Sequence, residues 1–205
     1  MSQFLEKMNF YVGLELFAAV LGVLSVWYAK KNKILVYPTG IISTLIYVWI
    51  LFKNKLLGDL IINVYFFLMS IYGWFFWSRK DEGIVKNKIS RLNLNESIFG
   101  IIIFIFGFII VMSIYNISNW KESYVSSIDT LTTAIFFSAM WFMARRKIEH
   151  WILWIIGDII SVPLYIYKGL FFTSIQYLIF TFIAILGFIS WLKELNKKKL
   201  TVKEL

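Results

Sequence analysis

The sequence predicts an all-α integral membrane protein with seven transmembrane helices. Of its 205 residues, 60% are hydrophobic and 20% are aromatic, and the mean hydropathy is +0.73. Soluble domains average about 45–50% apolar residues, and here the excess is concentrated in seven long runs. An α-helical span needs about 20 mostly apolar residues, whereas the spans of a β-barrel are short and alternate in polarity. The continuous runs therefore indicate helices.

The predicted spans are residues 8–29, 35–52, 57–78, 97–117, 125–145, 149–167 and 171–192. We expect the first to be a span and not a cleaved signal peptide, because its long apolar run ends in Lys30-Lys31-Asn32-Lys33 instead of small residues. Span two opens with a helix-start proline, Pro38. One side of span two is small or polar, which allows close helix approach. That side consists of Gly40, Ser43, Thr44 and Tyr47.

Span three carries polar and aromatic residues at steps of three and four, which place them on one helix face. This stripe consists of Asn63, Phe67, Ser70, Trp74 and Trp77. Span four is bland, with no charge between Gly100 and Met112. Span five carries Asp129, which we expect near its outer end.

An internal repeat relates the first three spans to the last three. Gly73 is followed four residues later by Trp77, and Gly187 by Trp191. Gly40 is matched with Gly157 if the intervening loop differs by three residues. Since three is an odd number, span four restores the direction of the chain, as in SWEET proteins, and gives two parallel three-helix repeats joined by a linker helix. In this 3+1+3 arrangement, residues 1–92 form the first repeat with a cytoplasmic loop, 93–122 the linker helix, and 123–205 the second repeat with a basic cytoplasmic tail.

Span six carries the carboxylate of Asp158 close to its middle. A charge at the centre of a bilayer helix costs roughly 2.5–3.5 kcal/mol, so such residues usually face a partner or a cavity. The residues on the same face are Trp151, Trp154, Ser161 and Tyr165, and those on the opposite face are Ile152, Ile155, Ile156, Ile159 and Ile160. Pro163 predicts a kink just beyond Asp158. The polar face indicates a small-molecule site; a polar packing residue satisfied by a neighbouring helix is the alternative.

The stripes of spans two, three, six and seven are expected to enclose one central site. Its predicted residues are Trp151, Trp154, Asp158, Asn63, Ser70, Gln176, Tyr177, Tyr47, Ser43 and Trp74. For Asn63, Ser70 or Gln176 taken singly, an interhelical hydrogen bond is the alternative. Aromatic rings attract a desolvated cation by up to about 2 kcal/mol. An aromatic cavity with a single carboxylate therefore predicts a planar organic cation as its ligand.

Loop charge predicts the orientation in the membrane. Five cations fall on the side of the amino terminus, and sixteen on the other. The five are Lys7, Lys53, Lys55, Lys121 and Lys168. By the positive-inside rule, the amino terminus is outside and the carboxyl terminus is cytoplasmic. The formal charge of +9 is thus a topology signal, and we expect no nucleic-acid partner.

Catalytic motifs are missing from the sequence. There is no cysteine for a thiolate metal site and no HExxH, GxSxG or phosphate-loop motif, so we expect neither a metal nor a cofactor. The single histidine, His150, is expected at the membrane interface. An intramembrane enzyme using Asp158 and His150 is a competing class, although the two lie about 12 Å apart along a helix. A non-transporting scaffold, the third class, leaves the polar stripes without a purpose.

The run from Asp129 to Trp191 resembles the PnuC family of bacterial vitamin transporters, and the similarity extends over nearly all of the chain. The motifs that carry it are Asp129-x-Leu-Thr-Thr, Met143-Ala-Arg-Arg-Lys-x-x-x-Trp, Trp151-x-x-Trp154-x-x-x-Asp158, Ile71-Tyr72-Gly73-Trp74, and Gly187 with Trp191. The family's pattern often has asparagine where Asp158 stands, and glutamine or asparagine where Asn63 and Ser70 stand.

The resemblance implies uptake of nicotinamide riboside by facilitated diffusion across the bacterial inner membrane. A separate cytoplasmic kinase would then trap the nucleoside by phosphorylation. Thiamine-transporting relatives share the fold, and both vitamins are flat cations that a carboxylate attracts, so thiamine remains the alternative substrate. Homo-oligomerisation remains open.

Overall fold

A computed structural model of the chain describes residues 2–53, 57–81, 84–117, 123–169 and 171–203. Its helices are α1 (Ser2–Lys30), α2 (Val36–Lys53), α3 (Leu57–Ser78), α4 (Leu94–Ile117), α5 (Ser123–Ala144), α6 (His150–Tyr167) and α7 (Phe171–Lys203). Between α3 and α4, strands β1 (Lys80–Asp81) and β2 (Ile84–Val85) pair antiparallel. The sequence did not predict this hairpin, because strands of two residues leave no periodic pattern.

Each of the seven helices is long and apolar enough to cross a membrane, as the sequence predicts. Their bounds agree closely with the predicted spans, except that α1 begins earlier, at Ser2, and α7 continues to Lys203. Helix α5 lies at the centre, because 72% of its span is buried, against 33% or less in the other six. The outer surface carries large apolar side chains, such as Phe106 and Ile109 on α4. Such a surface suits lipid.

The helices pack as two groups of three. α1 packs on α2 and α2 on α3, whereas α5 packs on α6 and α6 on α7; α4 packs on α5. The groups meet where α1 contacts α7 and where α3 contacts α5. These two contacts are equivalent if α1, α2 and α3 correspond to α5, α6 and α7. In each of them, the first helix of one group packs on the third helix of the other group.

Equivalent turns end the first helix of each group. Asn32 and Arg146 both adopt the left-handed conformation, with φ of 52° and 56°. The next amides, those of Lys33 and Lys147, donate to the carbonyl five residues back at 3.0 and 2.9 Å. This is the hydrogen-bond pattern of a Schellman motif. The two turns are 114 residues apart in the numbering of the chain.

Similar contacts, at the same separation or within one residue of it, hold the third helices. A Cβ on Gly73 would lie 2.3 Å from the ring of Tyr37, and one on Gly187 would lie 2.6 Å from the indole of Trp151. In the next turn of each helix an indole N–H crosses to the first helix of the other group. Trp77 donates to the carbonyl of Ala144 at 3.1 Å, and Trp191 to that of Ala29 at 3.0 Å.

This register corrects one match made from the sequence. Val36 and His150 each begin a helix four residues after the left-handed residue that precedes them. The two connections therefore have equal length, and the equivalent of Gly40 is Trp154. The expected match of Gly40 with Gly157 is wrong by three residues. In the same register, Thr44 is the residue of the first group that is equivalent to Asp158.

Candidate functional site

A cavity of about 200 Å³ lies between the two groups of helices. Its described wall is built by α1, α2 and α3 from one group and by α5, α6 and α7 from the other. Most of the wall consists of pairs of positions 114 residues apart. These pairs are Gly22 and Phe136, Val26 and Met140, Ala29 and Met143, Gly40 and Trp154, Thr44 and Asp158, Phe66 and Phe180, and Ser70 and Ala184.

The two halves of this wall differ in chemistry although their backbones correspond. In several pairs the first group supplies the smaller side chain. Gly40 is equivalent to Trp154, and Gly22 is equivalent to Phe136. It also supplies hydroxyl groups. The second group supplies most of the aromatic rings and the carboxylate. One group therefore supplies small and hydroxyl-bearing side chains to the wall, and the other supplies most of the rings and the charge.

Asp158 is 1% exposed and faces the cavity. Neither of its carboxylate oxygens has a hydrogen-bond partner among the described residues. No described lining residue is basic. Removing a charge from water without a partner costs several kcal/mol, so this carboxylate favours a cationic ligand in the cavity.

Aromatic rings form a continuous shelf beside Asp158. The indole of Trp154 stacks on Phe136 with ring centroids 5.1 Å apart, and Phe136 stacks on Tyr177 at 6.0 Å. Phe66 of the other group approaches Trp154 to 6.1 Å. All four rings line the cavity. Flat rings of this kind suit a planar cation, because their faces carry the negative part of the quadrupole.

Helix α6 presents the two faces that the sequence predicts. Trp151, Asp158 and Ser161 are each 1% exposed, whereas Ile152, Ile156 and Ile159 are 42–55% exposed. The indole N–H of Trp151 and the hydroxyl of Ser161 have no hydrogen-bond partner in the described parts of the chain. The helix continues through Pro163 to Tyr167. Its polar face is thus turned inward.

Half of the predicted site residues come together at the cavity. Those that line it are Trp151, Trp154, Asp158, Ser70 and Tyr177. The remaining predicted residues, which are not among its lining residues, are Asn63, Gln176, Tyr47, Ser43 and Trp74. Ser43 donates a hydrogen bond to the carbonyl of Ala18 at 2.7 Å and joins α2 to α1. Trp74 is 42% exposed. A role in substrate binding stays a prediction for every residue in both sets.

Sequence reasoning missed what α1 and α5 contribute. Gly22 and Ser25 of α1 and Phe136, Met140 and Met143 of α5 line the cavity. Small and apolar side chains of this kind are not distinguishable from ordinary packing residues by pattern alone. The separation of 114 residues, applied to both groups, would have paired Gly22 with Phe136.

His150, expected at the membrane interface, is packed inside the protein. It is fully buried, with its ring centroid 4.2 Å from that of Trp151 and 4.9 Å from that of Trp191. The side chain is buried because the first turn of α6 packs against Trp191 of α7. Its position at the membrane interface stays a prediction. His150 is not among the lining residues of the cavity.

Asp129, expected near the outer end of α5, is engaged by neighbouring helices. It forms an ion pair with Lys168 at 2.9 Å, and it accepts a hydrogen bond from the hydroxyl of Tyr115. These contacts tie α5 to the end of α4 and to the connection between α6 and α7. A structural role explains this carboxylate, in contrast to Asp158.

Comparison with known proteins places the chain in one family. The profile described as nicotinamide mononucleotide transporter matches residues 12–193. The nicotinamide riboside transporter PnuC of Escherichia coli (strain K12) is 26% identical, over 90% of this chain and 87% of that protein. The riboflavin/roseoflavin transporter RibM of Streptomyces davaonensis is 22% identical, over 84% and 81%.

A solved structure has the same fold. The crystal structure of the vitamin B3 transporter PnuC superposes with a TM-score of 0.67 at 22% identity, covering 90% of this chain and 82% of that one. The profile match extends over most of the chain and includes α6 with its tryptophans and Asp158. The chain therefore belongs to the nicotinamide mononucleotide transporter family, the family of the PnuC vitamin transporters.

Proposed function

We propose that this chain takes up nicotinamide riboside across the bacterial inner membrane. The observation that carries the proposal is the buried carboxylate of Asp158 in an aromatic cavity, without a hydrogen-bond partner in the described part of the chain. Nicotinamide riboside has a flat, positively charged ring, which matches both the shelf of rings and the charge. The PnuC relatives, named as transporters of this nucleoside, support the same substrate.

Hydroxyl groups of the first helix group offer partners for a sugar. Ser25 and Thr44 line the cavity and donate their own protons to the carbonyls of Val36 and Gly40, at 2.7 and 2.8 Å. Their oxygens keep lone pairs that can accept hydrogen bonds from ribose hydroxyls. A ligand with its cationic ring at α6 and its sugar toward α1 and α2 would thus satisfy both halves of the wall.

The same charges disfavour a phosphorylated ligand. A mononucleotide would bring its phosphate into a cavity whose one charged described lining residue is Asp158. Like charges at close range in a poorly hydrated site repel strongly. We therefore propose the riboside, and not the mononucleotide after which the family profile is named, as the substrate.

Calorimetry on the purified protein tests this choice. We expect heat of binding with nicotinamide riboside and at least tenfold weaker binding of the mononucleotide. Thiamine and riboflavin are titrated in parallel, because thiamine is also a flat cation and RibM carries a riboflavin name. Preferred binding of thiamine, riboflavin or the mononucleotide would contradict the proposed substrate.

We propose facilitated diffusion as the transport mechanism, with a separate cytoplasmic kinase making uptake unidirectional. The described cavity wall offers one carboxylate and no chain of ionisable groups for a proton relay. In proteoliposomes without a kinase, labelled substrate should reach equal concentrations on both sides, and a protonophore should not change this. Accumulation driven by an ion gradient would contradict the mechanism. Recovery of a chemically altered substrate would instead support the intramembrane enzyme.

We also propose that the 3+1+3 arrangement divides the chain at the predicted limits. The first repeat would span 1–92, the linker helix 93–122, and the second repeat 123–205. The paired contacts of α1 with α7 and of α3 with α5 support this division, as do the matching turns at Asn32 and Arg146. The amino terminus would lie outside and the carboxyl terminus in the cytoplasm.

A further inference from the structure

A second cavity, of about 250 Å³, lies where the loop between α3 and α4 meets the turn between α5 and α6. This is the end of the helices that carries the cation-rich connections. Four cationic side chains and one carboxylate line it, namely Lys86, Lys88, Arg145, Lys147 and Glu96. The described lining thus carries an excess of positive charge, which is the reverse of the central cavity.

Backbone hydrogen bonds hold the walls of this cavity in place. The amide of Ser90 donates to the carbonyl of Arg146, and the amide of Ile148 donates to the carbonyl of Ser90, both at 3.1 Å. The guanidinium of Arg146 donates to the carbonyl of Asn87 at 2.5 Å. The loop is therefore fastened to the turn before any ligand arrives.

The carboxylate of Glu96 is already neutralised by its neighbours. It lies 2.8 Å from the amine of Lys147 and 3.6 Å from the guanidinium of Arg145. The amine of Lys147 also donates to the hydroxyl of Ser90 at 2.9 Å. Glu96 thus positions two of the cations and has little charge left for the other two.

Lys86 and Lys88 are the two cations that Glu96 does not hold, and Arg145 keeps one nitrogen without a partner in the described segments. Lys88 has no ion pair within the described segments, and Lys86 lies 3.9 Å from Asp81 in a pair whose side chains are 61% and 73% exposed. Exposed ion pairs of this kind contribute little to the free energy of folding, so Lys86 is only weakly held by Asp81. Arg145 is held over the ring of Phe76 at 4.6 Å, and its buried Nε has no hydrogen-bond partner among the described residues.

We propose that this cavity binds a phosphate group, presented either by a soluble phosphorylated molecule or by the headgroup of an anionic lipid. A guanidinium and several amines around one space are a usual arrangement for phosphate recognition. A basic cavity at the cytoplasmic ends of membrane helices is also where anionic headgroups bind. The site is independent of the transported substrate, which the central cavity selects by the opposite charge.

Thermal unfolding of the full chain in an uncharged maltoside detergent tests the proposal. One arm adds inorganic phosphate at constant ionic strength, with chloride as the compensating anion. The other adds phosphatidylglycerol, with phosphatidylcholine as the neutral comparison. Ligand that binds only the folded state raises the melting temperature, and we expect a rise of about 2–4 °C in at least one arm. The arm that responds identifies the source of the phosphate.

Two double variants show whether the response belongs to this cavity. Lys86→Ala with Lys88→Ala removes the two loosely held amines and should abolish the rise. Lys30→Ala with Lys31→Ala removes two cations from the same end of the molecule, beside Trp27 and outside the cavity, and should leave the rise intact. No rise in either arm, or an equal loss in both variants, would overturn the proposal.

Discussion

Asp158 is a carboxylate that α6 holds in the cavity wall, with no hydrogen-bond partner among the residues that the structure describes. Asp158 lies two helical turns after the buried Trp151, on the same inward face of α6. The exposed isoleucines lie on the opposite face of that helix. Burial of the carboxylate without a hydrogen bond destabilises the empty protein. The proposed cationic substrate would offset that cost, so the carboxylate that destabilises the empty protein would strengthen binding.

Replacing Asp158 with asparagine keeps the shape of the side chain and removes its charge. We expect nicotinamide riboside to bind about 10–100-fold more weakly, because a hydrogen bond to a charged group contributes about 1.5–3 kcal/mol. The melting temperature of the empty protein should rise, since a buried unpaired charge is gone. Calorimetry and thermal unfolding of one preparation measure both effects. Unchanged affinity would remove Asp158 from the binding site.

Trp154 and Trp74 are both predicted site residues, but only one of them lines the cavity. Trp154 lines the cavity, whereas Trp74 is 42% exposed and does not. Trp154→Leu should lower the affinity for nicotinamide riboside by up to about 30-fold, the loss of a desolvated cation–π contact of about 2 kcal/mol. Trp74→Leu should leave the affinity unchanged. Equal losses in the two variants would favour the predicted stripe over the cavity seen here.

At the scale of the helices, glycines and indoles on α3 and α7 bring the two groups together. Gly73 and Gly187 admit a ring from the adjacent second helix. Trp77 and Trp191 then lie with ring centroids 5.9 Å apart. Arg146 stacks on Trp77 at 4.1 Å, and burial lowers the pKa of this guanidinium from its usual value. These rings join the two groups of helices at their cation-rich end.

The glycine contacts can be tested by adding one methyl group. Gly73→Ala and Gly187→Ala should each destabilise the protein by about 1–3 kcal/mol, because overpacking forces neighbouring rings to shift. Gly13→Ala is the matched control, since a Cβ there meets nothing within 4 Å and alanine favours a helix. Thermal unfolding in detergent measures all three. Tolerance of alanine at both Gly73 and Gly187 would contradict the close approach.

At the scale of the whole molecule, the two groups of helices have similar backbones but contribute different side chains to the wall of the central cavity. Matching turns, glycines and indoles give the two groups the same shape, whereas the side chains at equivalent wall positions differ, as Thr44 and Asp158 do. The difference in side chains leaves a single carboxylate in the described cavity wall. In the proposed function, that carboxylate would select the charge of the ligand.

The orientation of the whole chain can be measured directly, because the sequence contains no cysteine. Lys53→Cys and Lys31→Cys introduce single thiols at exposed positions, on opposite sides of the membrane in the proposed topology. An impermeant maleimide should label the first variant in intact cells, and the second only after the membrane is opened. The reverse pattern would place the amino terminus in the cytoplasm.

The sequence by itself determined the number of helices, their approximate limits and the inward face of α6. These properties depend on the length and periodicity of apolar runs, which are local. It also located Asp158, Trp151 and Trp154, because a charge within a span is rare wherever the helix is placed.

Only the tertiary structure decided which polar faces meet. Ser43 and Trp74 lie on predicted stripes, yet one bonds α1 and the other is exposed. Phe136 and His150 carry no pattern that distinguishes a cavity wall or an aromatic cluster from other positions. The rotation of each helix and its depth against its neighbours are set by contacts between residues far apart in the chain, such as Gly187 with Trp151. Such contacts cannot be read from a local stretch of sequence. They determine where the cavities lie.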